Sequence, residues 1–375
     1  MDDKDMRVNH TASALDVFYS LVRSGLWGTS VVIPSLNDAE WNEILSAAKE
    51  QTVMGLVGDG LSRALGGQPP KAVRDAFISA LYVTELRNRH MNTFLASLSS
   101  KLSEAGIHAV VVKGQGIAQC YRHPDWRQSG DIDLLLNGMD YDGAKSLLIP
   151  LARSVSSEVS RKKHLPLQID SVEVELHGTL HAELSRKMDV VIDTVQEEMF
   201  SKSLFRKWNQ GGVDILLPDV DADVVFVFTH ILQHFFKGGI GLRQICDWCR
   251  LLWSFADKIN RDLLEKRLRK MGLMSEWRTF GCFAVQMLGM PADAMPFYQT
   301  FSIRRLKRLS RFFDCAGNFG QNRDLSYQRK GLPVSVRKVI TVWRQAVDNI
   351  RMISVFPVDS FRFLCGYIRF KMQKA

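Results

Sequence analysis

The chain has 375 residues, 46% of them hydrophobic and 24% charged, the composition of an ordinary globular protein with room for two or three domains. The start, Met1-Asp2-Asp3-Lys4-Asp5, is polar with no apolar run behind it, and the most apolar stretch, residues 224–236, is short and broken by His230, Gln233 and His234. A secretory signal and a membrane span are therefore not expected, and the expected location is cytoplasmic. Of the net charge of +9, residues 303–375 hold sixteen Lys plus Arg against four Asp, a local +12 that leaves −3 for the remainder. Such a stretch suits an acidic face of the same protein, nucleic acid or an anionic membrane surface.

Residues 12–105 have helical character throughout. Leu15, Phe18 and Leu21 fall at helical spacing, Asn37-Asp38-Ala39-Glu40 has the form of a capped helix start, and Gly66-Gly67-Gln68-Pro69-Pro70 marks a turn before a long amphipathic run over 71–104. From Gly106 the period changes. Ile107 to Val112 reads as a buried strand ending in Lys113-Gly114-Gln115-Gly116, followed by a helix-like segment, 117–122, and a second strand over 131–136. A helix over 141–154 precedes two strands, 165–169 and 172–177, with Asp170-Ser171 as the hairpin turn. After about residue 195 helices are expected again, at 219–236, 242–255, 260–271, 276–288, 301–313 and 335–352.

Alternation along a strand puts residues two apart on one face, about 7 Å from each other. Asp131 and Asp133 therefore project together, and Glu173, Glu175 and His177 share a face of a neighbouring strand. Mg²⁺ is typically held by one or two carboxylates plus substrate phosphates, so Asp131 and Asp133, joined by Glu175, suit a site for one or two ions. Glu173 is the alternative third carboxylate.

His230 and His234 are four apart on one helix face, but no Glu follows His230 as a zinc-protease motif requires, and packing or acceptor contact is the expected role. Cys246-Asp247-Trp248-Cys249 is a lone pair within six scattered cysteines, which read as reduced buried thiols. Arg243 and Asp247, also four apart, are expected to form a helix-face ion pair. The aromatic and basic residues of 356–374 are expected to dock on the body of the protein.

Lys113-Gly114, Tyr121, Arg127, Gly130-Asp131-Ile132-Asp133-Leu134-Leu135, Glu175-Leu176-His177 and the later His230 and His234 together resemble the uncharacterised bacterial nucleotidyltransferase family of the DNA polymerase β superfamily, over most of the chain. The resemblance implies an α+β fold, with a small mixed sheet flanked by helical regions. The implied organisation is a helical domain at 1–105, the nucleotidyltransferase core at 106–200, a helical domain at 201–300 and a basic helical tail at 301–375.

It further implies Mg²⁺ or Mn²⁺ on Asp131 and Asp133, with Glu175 completing a second metal site or drawing the proton from an acceptor hydroxyl as part of the catalytic set, and a nucleoside triphosphate contacted by Lys113, Gly114, Gly116 and Arg127. A nucleotidyl group would pass to an acceptor that is a small molecule, peptide or protein side chain. RNA ranks lower as acceptor because no stacking platform or RNA module is evident. The Gly-Ser pair usual in that superfamily is here Gly114-Gln115 or Gly116-Ile117. The alternative is a non-catalytic binding module on the same fold.

Overall fold

A computed structural model describes residues 13–160, 163–237, 239–316 and isolated positions between 333 and 356. Most of the expected helix at 335–352, the segment 356–374 beyond its first residue and most of the basic 303–375 stretch lie outside the described residues.

The chain opens with α1 (Ala14–Trp27), whose Ser13 and Asp16 form a reciprocal cap and whose end is closed by Gly28 at φ 70°. Strand β1 (Val31–Ile33) follows. Next comes α2 (Asp38–Glu50), capped by Asn37 and Glu40 as the sequence pattern predicts. Then come α3 (Met54–Leu61), β2 (Ala64–Gly66) and the 34-residue α4 (Lys71–Glu104). β1 and β2 pair in parallel, so the amino-terminal region is not helical throughout. The β-branched Val31-Val32-Ile33 resists the helical period around it.

The main sheet uses β3 (Val110–Val112), β4 (Asp131–Leu135), β5 (Ser154–Val155), β6 (His164–Ile169) and β7 (Val172–His177). Between them lie α5 (Gly114–Ala118) and α6 (Gly138–Leu148), and α7 (Arg186–Ser201) follows. Two more strands, β8 (Phe205–Gln210) and β9 (Val213–Pro218), turn on Gly211-Gly212 at φ 59° and 87°. This hairpin stands where helices were expected and carries the sheet past residue 200. The strand order is β5-β6-β7-β4-β3-β9-β8, mixed in direction.

Helices α8 (Val220–Lys237), α9 (Leu242–Ser254), α10 (Arg261–Met271), α11 (Met274–Gln286) and α12 (Ile303–Ala316) complete the described chain. None of the described helices is long and apolar enough to cross a membrane. Cys120, Cys246, Cys249 and Cys282 are buried free thiols.

The two faces of the sheet have separate cores. Ile132, Leu134, Val174 and Leu176 pack with Met91, Leu95 and Leu98 of α4 and Tyr141 of α6. Val110, Val112 and Leu135 face the other way, into a cluster that joins Leu21 of α1 and Trp41 of α2 to Phe228 of α8 and Trp248 of α9. The amino- and carboxy-terminal helical regions thus share one core on that face. The fold is α+β, with helical flanks on a mixed sheet.

One close approach sets the position of the segment leading into β4. A Cβ on Gly55 would lie 2.2 Å from the Trp126 carbonyl oxygen, so α3 and the 124–126 turn touch backbone to backbone. Gly55→Ala is expected to lower stability by about 1–3 kcal/mol, as overpacking does, measured as a lower urea midpoint with unchanged slope.

Candidate active site

Strand register gathers the acids. Asp133 lies opposite Val112 of β3 on one side and Glu175 of β7 on the other. Asp131 is opposite Glu173. Because Val112 ends β3, the next residue, Lys113, arrives beside Asp133, and its Nζ donates to Asp133 Oδ1 at 2.9 Å. Lys113 has φ 59° and ψ −139°, a region that costs a non-glycine residue about 1–3 kcal/mol. The turn from strand to helix therefore occurs at Lys113, and α5 begins at Gly114, three residues earlier than expected.

A cavity of about 280 Å³ opens here. Lys113, Gly114, Asp131, Asp133 and Glu175 line its sheet side. His230 and His234 of α8 and Arg243 and Asp247 of α9 line the helical side, with Arg127 between. Of the residues expected from sequence, Gly116 alone is not in this lining. It is buried, and a Cβ there would meet Leu217 Cδ2 at 2.9 Å, so this glycine serves packing of α5 on β9. Glu175 rather than Glu173 joins the cavity; Glu173 is exposed.

The charges are tightly coupled. Burial, then the Asp133 charge, pushes Asp131 up to about 6. Burial also opposes ionisation of Asp133, but Lys113 and His177 outweigh it and hold its pKa below the usual carboxylate value. For Glu175, burial is outweighed by hydrogen bonds with His164 and His177, and its pKa falls far below the ordinary glutamate value. Burial disfavours the Lys113 ammonium, yet Asp133, Asp131 and Glu175 raise its pKa. Burial, with Lys113 nearby, drives His230 well below the usual histidine value.

The helical wall differs from the expected pairing. Asp247 does not pair with Arg243 along α9. It accepts from Arg127 Nε at 2.9 Å and Nη2 at 2.7 Å, and from the Tyr121 hydroxyl at 2.8 Å. Arg127 Nη1 donates to Ser129 Oγ at 2.8 Å and the Gln128 carbonyl at 3.3 Å. Most Arg127 donors are thus used within the protein, which leaves little for the phosphate contact expected from sequence. Arg243 donates Nη1 to the Gln128 carbonyl at 2.5 Å, and its Nε finds no hydrogen-bond partner among the described residues.

Two histidines extend the acidic face. His177 Nε2 lies 2.7 Å from Asp133 Oδ1 and 3.3 Å from Glu175 Oε2. His164 Nε2 is 3.0 Å from the same Glu175 oxygen. His164 was not singled out from sequence, although a two-residue turn at Asp170-Ser171 places it opposite His177 by counting back along the hairpin.

Residues 37–289 match a family described as uncharacterised nucleotidyltransferase. A comparison with curated proteins finds no match. The crystal structure of an antigenic nucleotidyltransferase-like protein from Paracoccidioides brasiliensis is similar at 14% identity, over 56% of this chain and 94% of that chain, with a TM-score of 0.34.

Removing one partner of the buried Arg127–Asp247 pair strands a charge. Asp247→Asn is expected to cost about 3–5 kcal/mol and Tyr121→Phe about 0.5–1.5 kcal/mol, read by urea unfolding. Burial opposes ionisation of Asp247, but Arg127 holds its pKa below the unfolded value. Its contribution is therefore complete above the unfolded pKa of about 3.9 and lost as pH falls through the lower native pKa. The stability gap between wild type and Asp247→Asn should narrow over that acid range and stay constant at neutral pH.

Proposed function

The chain belongs to the uncharacterised nucleotidyltransferase family, and from that premise we propose that it moves a nucleoside monophosphate from a nucleoside triphosphate to an acceptor hydroxyl and releases pyrophosphate. The observation that carries this reading is the convergence of Asp131, Asp133, Glu175 and Lys113 on one cavity. The reading also places the family in the DNA polymerase β-like superfamily, because the Asp-x-Asp strand has its third carboxylate on the adjacent parallel strand. Its core takes in the sheet from residue 106 and includes the 205–218 hairpin, with helical walls before and after it.

The site fits a hard divalent cation such as Mg²⁺ or Mn²⁺. Asp131 and Asp133 offer oxygen donors from one strand face, and the Lys113 ammonium already stands 2.9 Å from Asp133, showing that this corner favours positive charge. When bound by Asp131 and Asp133, the cation supplies charge neutralisation for the triphosphate and its leaving group.

The chain's own residues do the rest. Lys113 stands at the cavity edge to meet phosphate oxygens once its bond to Asp133 is exchanged. Gly114, at φ 32°, admits the triphosphate close to the backbone. Arg243 replaces Arg127 as the second phosphate-facing cation, since its Nε lacks a described protein partner. Glu175, held ionised by two histidines, is suited to binding a cation rather than accepting a proton. An acceptor oxygen then bonds to the α-phosphorus as the α–β phosphoanhydride bond breaks, pyrophosphate leaves with the bonding pair, and the hydroxyl proton passes to water. The acceptor is a small molecule or a peptide or protein side chain. The alternative, binding without catalysis, is favoured by the partners that Asp133 and Glu175 already have in Lys113, His164 and His177.

Thermal unfolding with Mg²⁺ and each nucleoside triphosphate tests the reading. A productive nucleotide at one hundred times its Kd should stabilise the wild type by about 2.7 kcal/mol. Asp131→Asn/Asp133→Asn should lose that shift, and transfer of an α-label to acceptor in cell extract should fall by about 10²–10³-fold. Absence of any nucleotide-dependent shift in the wild type refutes the transferase reading.

A further inference from the structure

Nitrogen donors are concentrated at one end of the site. A second cavity of about 260 Å³ shares Lys113, Glu175, His230 and His234 with the first, and is also lined by His164, His177 and His181. Five of the chain's nine histidines therefore line it. Within this group, His164, Glu175 and His177 alone among the described residues bring one donor atom each within 4.8 Å of one another.

Their convergence follows from the backbone. His164 and His177 are directly opposed across the antiparallel β6–β7 pair. Their rings stack at 4.7 Å with an interplanar angle of 15°, which points both Nε2 atoms at Glu175. Glu175 is two residues before His177, on the same face of β7. The nitrogen-to-oxygen distances are 3.0 and 3.3 Å. Ligands bound to Zn²⁺ at 2.0–2.1 Å in tetrahedral geometry stand about 3.3 Å apart, so little movement separates the hydrogen-bonded cluster from a coordinating one. All three side chains retain access to the cavity, with relative exposures of 24% for His164, 21% for Glu175 and 11% for His177.

We propose that His164 Nε2, His177 Nε2 and a Glu175 carboxylate oxygen form a binding site for a first-row transition-metal dication, which shares Glu175 with the all-oxygen site at Asp131 and Asp133 but differs from it in chemistry. Two imidazoles and one carboxylate suit Zn²⁺ and its neighbours in the series, whereas Mg²⁺ selects oxygen. The cavity side of the ion stays open for water or a substrate oxygen. Asp133 Oδ1, 2.7 Å from His177 Nε2, stands between the two sites, and its hydrogen bond to that nitrogen is given up, with the proton it shares, when the ion binds. The inference goes beyond the transferase reading and does not require catalysis.

The test uses the full chain, stripped with a chelator and titrated with Co²⁺ in the absence of nucleotide. A visible d–d absorption saturating at one ion per chain, retained in millimolar Mg²⁺ and abolished by one equivalent of Zn²⁺, is expected. Loss of an outer partner of a metal ligand weakens affinity by about 10–100-fold. His164→Ala and His177→Ala, which remove ligands, should weaken Co²⁺ binding by at least about 100-fold. Asp131→Asn and His230→Ala should leave the absorption in place.

Melting of the metal-free variants checks folding, and if the more buried His177→Ala unfolds, His164→Ala and His164→Gln decide. Displacement of Co²⁺ by Mg²⁺, or full binding by the His164 variants, overturns the proposal. A nucleotide-dependent thermal shift without the Co²⁺ signature sinks this inference alone. The Co²⁺ signature without a nucleotide shift sinks the transferase reading alone.

Discussion

The buried pair between Arg127 and Asp247 holds the two walls of the cavity at a fixed separation. Arg127 belongs to the turn that leads into β4, and Asp247 belongs to α9, so the pair connects the acidic strand to the helix across from it. Both side chains are nearly excluded from water, at 5% and 6% exposure. Desolvating two charges is expensive and is offset only by good geometry and further hydrogen bonds. Here the contact is bidentate, and Tyr121 and Ser129 supply the additional bonds. Arg250 adds a second tie on α9, donating to the carbonyls of Cys120 and Leu26. The amino-terminal end of α9 is held in turn by Gln51, whose side chain accepts from the Leu242 amide. Residues distant in sequence thus converge on one helix, and that helix presents Arg243 to the cavity.

Within the walls, the acids are arranged with unequal degrees of neutralisation. Asp133 receives Lys113 and His177, and Glu175 receives His164 and His177. Asp131 has no such neighbour in direct contact among the described interactions, and burial with the Asp133 charge raises its pKa to about 6. A cation arriving at the strand face therefore gains most from Asp131, the carboxylate with the least compensated charge. The strained turn at Lys113 belongs to the same balance. A lysine in a glycine-like conformation here makes its bond to Asp133, the bond that the proposed reaction would exchange for one to phosphate.

Much of this face could be read before the fold was known. Asp131-Ile132-Asp133-Leu134 and Val172-Glu173-Val174-Glu175 alternate with a period of two, and burial follows that alternation from Val172 to Leu176, whereas Asp133 is buried together with its apolar neighbours. The capped start of α2 was equally plain, because Asn37 and Glu40 sit three apart. Other features depended on tertiary contacts that spacing cannot show. Arg243 and Asp247 have the separation of a helix ion pair, but a partner 120 residues earlier takes the carboxylate. Arg127, expected from sequence to meet phosphate, lines the cavity but spends most of its donors on Asp247, Ser129 and Gln128. The β8–β9 hairpin carried a signal, Gly211-Gly212 between two six-residue strands. Its first strand, Phe205-Arg206-Lys207-Trp208, is edge-like and charged, and lacks the apolar run that marks β3. Gly116 resembled a phosphate-loop glycine because sequence spacing does not reveal which face of a short helix meets Leu217.

The chemistry of the cavity is graded along the sheet. At β4 the donors are carboxylate oxygens, and toward β6 and β7 they become imidazole nitrogens, with Asp133 and Glu175 at the boundary. This gradient follows from register alone, since parallel pairing sets Glu175 beside Asp133 and antiparallel pairing sets His164 beside His177. A slip of one residue between β6 and β7 would turn His164 to the opposite face of the sheet, where Leu165 and Leu167 now fill the α4 core. The apolar packing on one face therefore enforces the ligand arrangement on the other. The acid and histidine groups need no loop to position them, because the core that stabilises the sheet also fixes which donors meet.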